Sequence, residues 1–295
     1  MKLRSIELVL PDAHKAADFL MNIWRVAPAA TKKHIHYLRG SGTFPYLVAL
    51  EEGTKSFVRS VTFVCSEMEL EQIKKNISDK KLNAKPETSS DLGGGKGIIV
   101  ELPEGELLRF LVGAEEVKPI DDIDLPVKLT HVVFNAEDAE KSGNAVEEIL
   151  NFKVSDRTKA MVFVRCNDSH HSTAFARAGF SSLNHIAFEM KDVDAVMRGV
   201  GRLRDSGMAP AWGPGRHGPG DNVFAYFIAP FGAVVEFSTA VNKVKEDYPV
   251  GAPDDWTWPP NRIDQWGLSD KDVEGLKKAE ANFRFYRDWE PQTLV

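Results

Sequence analysis

Four times along this chain, a short β-like run leads into a helix-like stretch and then into further β-like runs. The opening runs are residues 5–10 (SIELVL), 60–65 (SVTFVC), 130–135 (THVVFN) and 184–190 (NHIAFEM). The stretches that suit helices are 12–24, 67–77, 137–150 and 193–205; in the first, Ala16, Ala17, Leu20 and Ile23 recur near helical spacing. Runs such as 97–102 with 107–112, and 223–228 with 233–238, complete the copies. A repeat of this length is a supersecondary unit, and missing it would misassign the whole fold. The order strand, helix, strands, repeated, predicts an α+β chain of four βαβββ modules.

The clearest internal match aligns PEGELLRF (103–110) with PFGAVVEF (230–237), both Pro-x-Gly turns entering a strand. It sets Glu236 against Arg109. The same kind of alignment sets His185 against Ser60 and His131 against Ile6. The first half therefore has the architecture without these three polar residues and reads as a structural partner, with the chemistry in the second. The acidic stretch EEVKPIDDIDLPV (115–127) reads as a connection. The expected division is 1–116, a first domain without a metal site; 117–127, a linker; 128–240, a catalytic domain; and 241–295, a tail. The tail clusters Trp256, Trp258, Pro259, Pro260 and Trp266 ahead of a helix with Ser269 as its expected N-cap. It reads either as a segment packed on the domain surface or as a lid. In DLGGGKG (91–97) the glycines precede a β-like run rather than a helix, which makes a hairpin or surface loop and not a phosphate cradle.

Composition removes several function classes. The formal net charge is −6 and no basic stripe is present, which argues against nucleic acid. No apolar run approaches the roughly 18 residues of a membrane span. The apolar stretch near the start is interrupted by Glu7 and Asp12, unlike a signal peptide. Cys65 and Cys166 both lie in apolar runs, the pattern of buried reduced thiols in a cytoplasmic protein.

His131 in LTHVVF, His185 in LNHIAF and Glu236 in AVVEFST each alternate with apolar neighbours. Alternate side chains on a strand share a face. A carboxylate facing an apolar interior is costly unless it is paired or bound to metal. Two imidazoles and one carboxylate leave part of a metal's coordination sphere open, which suits Fe(II) or Mn(II); zinc competes, because coordination geometry is not written in sequence. His171 in DSHHSTA, His217 in GPGRHGPG and Tyr226 stand close to these in sequence and complete the candidate set. His170 reads as a solvated loop residue. His14, His34 and His36 read as surface or structural.

These segments, above all GPGRHGPGDNVFAYFIAPFGAVVEF with HHSTA and NHIAF, resemble the type I extradiol ring-cleavage dioxygenases of the vicinal oxygen chelate superfamily. The resemblance implies two domains, each a curled mixed β-sheet funnel, and a homo-oligomer. It implies Fe(II) held by His131, His185 and Glu236, with a catecholic substrate and O2 as partners. His171 would be the acid–base group, Tyr226 would hydrogen-bond a substrate oxygen, and His217 would orient the substrate. Trp212 stands where relatives acting on carboxylated catechols can carry arginine, which suggests an uncharged substituent; Arg262 could supply a cation from a lid. Val133 stands where some relatives have Asn. Rival readings are a hydroquinone-cleaving dioxygenase, a glyoxalase-like metal-dependent isomerase or transferase, and a metal-free small-molecule-binding protein.

Overall fold

The protein is described here by a computed structural model covering residues 1–80, 82 and 84–285. In its first half, β1 (Lys2–Leu10), α1 (Ala13–Phe19), β2 (Ala27–Lys32), β3 (Ile35–Arg39) and β4 (Val48–Glu52) form one module. The next is β5 (Phe57–Val64), α2 (Glu67–Lys80), β6 (Ala84–Thr88), β7 (Lys96–Glu101) and β8 (Leu107–Val112). The second half repeats this with β9 (Lys128–Ala136), α3 (Ala139–Leu150), β10 (Lys153–Arg157), β11 (Met161–Arg165) and β12 (Thr173–Arg177). The last module is β13 (Ser182–Glu189), α4 (Val193–Asp205), β14 (Trp212–Arg216), β15 (Val223–Ile228) and β16 (Val234–Thr239). Helix α5 (Val273–Glu280) and the short β17 (Arg284–Phe285) follow.

The strand order is β2-β3-β4-β1-β5-β8-β7-β6 in one sheet, with β17 added beside β5, and β10-β11-β12-β9-β13-β16-β15-β14 in the other. The two orders are the same with every number raised by eight. Both sheets are mixed: β9 pairs antiparallel with β13 and parallel with β12. This is the α+β fold of four βαβββ modules that the repeat predicts.

Helices α3 and α4 begin where Asp138 and Asp192 accept hydrogen bonds from Lys141 N and Ala195 N, satisfying backbone donors that the first turn leaves free. Apolar side chains of both halves merge in one core. Trp24, at the end of a π-helical turn that extends α1, is fully buried and stacks on Phe237, with ring centroids 3.7 Å apart. Gly199 lets α4 approach the same ring; a Cβ there would lie 2.7 Å from it. Phe237 thus faces the helices, and its neighbour Glu236 must face the other way.

The register corrects one sequence alignment. Thr62 pairs with Ser5 and with Arg109, as Ala187 pairs with His131 and with Glu236. His131 therefore corresponds to Ser5, not Ile6, while the Glu236–Arg109 and His185–Ser60 matches agree with the pairing. The matching place in the first half is filled by charge. Arg109 Nη2 lies 3.0 Å from Glu7 Oε1, and Arg109 Nη1 lies 2.7 Å from Asp91 Oδ2. Glu7 also accepts from Ser5, Tyr46, Ser60 and Thr62. A guanidinium stands where the second half gathers its imidazoles and carboxylate.

Two other expectations change. Helix α5 is capped by Asp272, which accepts from Gly275 N, because the Ser269 hydroxyl accepts from Gly213 N instead. Cys65 and Cys166 are free thiols but only half-buried. The glycine-rich loop joins antiparallel β6 and β7, as a hairpin should. No helix among the described residues is long and apolar enough to cross a membrane.

Candidate metal centre and its cavity

Strand pairing carries one row of side chains across five neighbouring strands. His131 on β9 lies opposite Ala187 on β13, which lies opposite Glu236 on β16. Glu236 lies opposite Tyr226 on β15, and Tyr226 opposite Trp212 on β14. Opposed residues share a face of the sheet. His185, two residues before Ala187, shares it too. The methyl group of Ala187 fills little of the centre of the row, and the three polar side chains converge over it. His131, His185 and Glu236 are all buried and offer ligand atoms within 4.8 Å of one another.

His131 Nε2 and His185 Nε2 lie 3.0 and 3.2 Å from the same oxygen, Glu236 Oε2. Around them the hydrogen bonds set which nitrogen carries a proton. Asn184 Nδ2 donates to Asn135 Oδ1 (2.7 Å), which turns Asn184 Oδ1 toward His185 Nδ1 at 2.6 Å. A carbonyl oxygen only accepts, so His185 Nδ1 holds the hydrogen and Nε2 keeps its lone pair. That Nε2 is sealed from solvent and makes no well-formed hydrogen bond. A buried lone pair, a second imidazole and a carboxylate oxygen meeting at one point form a donor set that fits a divalent cation with open positions. Asn222 Nδ2 donates to the other oxygen, Glu236 Oε1 (3.3 Å), and to Ser238 Oγ (2.9 Å).

Burial raises the Glu236 carboxyl, but the adjoining imidazoles of His131 and His185 outweigh it and hold the group ionised, below the usual carboxylate range. Burial, reinforced by its histidine neighbours, holds the His171 imidazole far below its usual range, and it brings His217 down to about 3. Burial next to Glu236 holds the Tyr226 hydroxyl protonated well above its usual range. Near neutral pH His171 and His217 are therefore neutral imidazoles and Tyr226 a phenol able to donate.

The sequence-selected histidines and tyrosine gather here. The His171 ring centroid is 4.3 Å from that of His131. His217 Nε2 lies 3.1 Å from the Tyr226 hydroxyl, and the His217 ring stacks on Phe224 with centroids 3.9 Å apart. All of them line one cavity of about 800 Å³ with Val133, Met161 and Phe163. The tail closes part of it: Trp256, Trp258 and Ile263, with Leu276 of α5, form its outer wall. The end of the tail, 286–295, lies outside the described residues.

Two expectations about the cavity wall change. Trp212 lines it, stacked on Tyr226 with centroids 5.3 Å apart, but the wall is not uncharged. The Lys271 ammonium sits 4.4 Å from the Trp212 ring centroid and also faces the cavity. Burial lowers its affinity for the proton, and it forms no ion pair among the described residues. Arg262 is exposed, donates to Trp266 O at 3.4 Å and is not part of the cavity lining. His170 is a third correction: it is fully buried, against His171 and Asp156, rather than solvated.

Asn184, Asn222, Lys271 and Asp156 were not singled out from the sequence. Asn184, next to His185 in LNHIAF, and Asn222, in GPGRHGPGDNVF, stood inside selected motifs. The others depend on which strands and tail segments fold against the site.

Residues 128–237 match the family model of the Glyoxalase/Bleomycin resistance protein/Dioxygenase superfamily. Metapyrocatechase 2 of Cupriavidus necator is 27% identical over 123 residues, which are 41% of this chain and only 38% of that relative's length. Among solved structures, the Mn(II)-bound glyoxalase from Novosphingobium aromaticivorans superposes with a TM-score of 0.84 at 26% identity, covering 93% of each chain. Homoprotocatechuate 2,3-dioxygenase from Arthrobacter globiformis shares the fold, with a TM-score of 0.85 at 21% identity over 99% of this chain and 94% of that one. The second half of the chain thus matches the family model of the Glyoxalase/Bleomycin resistance protein/Dioxygenase superfamily, and its whole length shares the fold of a Mn(II)-bound glyoxalase and of a homoprotocatechuate 2,3-dioxygenase.

Proposed function

We propose that the protein is an extradiol dioxygenase that opens the ring of a catechol next to its two hydroxyls and places both atoms of O2 in the product. One observation carries this reading. The row across β9, β13, β16 and β15 sets a two-histidine, one-carboxylate donor set against His171, His217 and Tyr226 in a single cavity. His131, His185 and Glu236 would hold Fe(II). Bound there, the metal would bring substrate and O2 together and polarise both. The neutral His171 imidazole would accept a proton from a catechol hydroxyl. Tyr226, kept protonated by burial, would donate a hydrogen bond to a substrate oxygen, and His217, 3.1 Å from it, would hold that hydroxyl in place. Trp256 and Trp258 would exclude water from the ring.

The wall also bears on the substrate. The Lys271 ammonium makes no direct ion pair among the described residues, although Glu280 in the same lining acts on it, and an anion on the ring substituent would pair with it directly. We therefore favour a catechol with an acidic side chain over the neutral one that Trp212 alone suggested.

A second reading concerns the metal. The likeness to a Mn(II)-bound glyoxalase over nearly the whole chain supports Mn(II) in the same donor set. The test is anaerobic reconstitution with Fe(II) and, separately, with Mn(II). O2 uptake and absorbance are then followed with unsubstituted, alkyl-, aryl- and carboxyalkyl-catechols, with hydroquinones as controls. The expected result is O2 consumed in equal amount to catechol, a new yellow ring-opened product, and a preference for the carboxyalkyl ring. Stoichiometric metal with no O2 uptake on any ring would overturn the dioxygenase reading.

A further inference from the structure

His170 and His171 are neighbours in the chain, yet both side chains are buried and touch: their Nδ1 atoms are 3.0 Å apart. On its other side, His170 Nε2 lies 2.5 Å from Asp156 Oδ2. Asp156 is fully buried on β10 and also accepts from Gly251 N (2.8 Å) and the Tyr248 hydroxyl (3.3 Å), both in the tail. His170 N donates to Asn242 O, which holds the loop in place. Gly220, at φ +78°, lies on the pair: a Cβ there would come within 3.1 Å of both rings.

We infer that Asp156 and His170 form a relay that fixes the proton of His171 on Nδ1 and leaves its Nε2 free as a base. With both rings as neutral imidazoles, donor and acceptor roles fix the two tautomers. An ionised carboxylate only accepts, so His170 Nε2 carries the hydrogen that points at Asp156. In a neutral imidazole the other nitrogen is then a lone pair. His170 Nδ1 therefore accepts, and among the described residues the donor facing it is His171 Nδ1. With its hydrogen there, His171 keeps the lone pair on Nε2, which makes no hydrogen bond to any described residue, while its ring lines the cavity.

Asp156 and His170 are thus positioning residues that touch neither substrate nor metal. Because Tyr248 and Gly251 hold Asp156, the tail that roofs the cavity also holds the far end of the relay. The role assigned to Nε2 rests on the dioxygenase reading; the tautomer does not.

The test separates the two. Long-range proton–nitrogen NMR of histidine-labelled protein, loaded with Zn(II) as a diamagnetic probe, reports which nitrogen of each ring is protonated. Wild-type His171 is expected to be protonated on Nδ1. In Asp156→Asn an amide donor faces His170 Nε2, both rings reverse, and the His171 proton moves to Nε2. With Fe(II) in place, kcat of this variant should fall roughly 10²- to 10⁴-fold, the range for losing a correctly protonated acid–base histidine, with KM and metal content unchanged. A wild-type His171 protonated on Nε2 overturns the relay whether or not the variant folds, as does a folded variant with unchanged tautomers. The expected tautomers in a protein that turns over no catechol would support the relay while ending the dioxygenase reading.

Discussion

Glu106 gives the sharpest test of the energetics outside the site. It lies in the turn between β7 and β8, only 1% exposed, and neither carboxyl oxygen makes a well-formed hydrogen bond. Its neighbour Glu104 accepts from Glu137 N and Asp138 N, so the turn is pinned against the second half. Burial outweighs the nearby backbone donors and pushes the Glu106 carboxyl up from 4.5 to about 8. Below the lower value both folded and unfolded chains hold the proton, and the group favours neither. Between the two values the unfolded chain releases a proton that the folded one keeps, so folding weakens as pH rises, by up to about 1.4 kcal/mol per pH unit. The full penalty is about 5 kcal/mol, with about 3 kcal/mol already incurred at pH 7. Glu106→Gln removes the ionisation while keeping the shape. Urea unfolding of both proteins at about pH 5, 7 and 8.5 would measure it. The variant should be equal or slightly less stable at the lowest pH and more stable by several kcal/mol at the highest. Two stability curves that stay parallel across this range would refute the argument that Glu106 is folded as a neutral acid.

The polar plug of the first half and the donor set of the second make opposite demands. Arg109→Met should destabilise the fold by roughly 3–5 kcal/mol in chemical denaturation, because it leaves Glu7 buried without its paired guanidinium and Asp91 with Arg59 alone, yet metal bound per folded molecule should not change. Glu236→Gln should abolish stoichiometric metal in equilibrium dialysis. Asn222→Ala, which removes the hydrogen bonds to Glu236 and Ser238 but none of the three donor residues, should weaken metal affinity by about 10- to 100-fold.

How far the sequence reaches can be judged residue by residue. The βαβββ repeat and the ends of α4 were legible because they are local: alternation, helical spacing and capping chemistry act over a few residues. His131, His185 and Glu236 were legible because they interrupt apolar alternation at corresponding places in repeated strands, and backbone pairing then brings such places together. His131 was matched to Ile6 rather than Ser5 because a register is set by hydrogen bonds between strands, and a one-residue slip leaves the composition of each run unchanged. The cap of α5 was misplaced for a similar reason: Ser269 is drawn away by Gly213 N, a partner 56 residues distant.

Burial and charge pairing belong to the tertiary structure. Nothing in DSHHSTA says that His170 will be sealed between His171 and an aspartate 14 residues earlier, or that the tail will donate to that aspartate. Nothing near Lys271 says that its ammonium will rest on Trp212 and enter the cavity wall. The sequence by itself determined the modules, their order and the residues able to bind a cation, since these follow from short-range backbone preference and side-chain chemistry. Only the tertiary structure decided the protonation of the imidazoles, the charge of the cavity wall and the ion network that fills the first half, because each depends on which distant groups share a volume from which water is excluded.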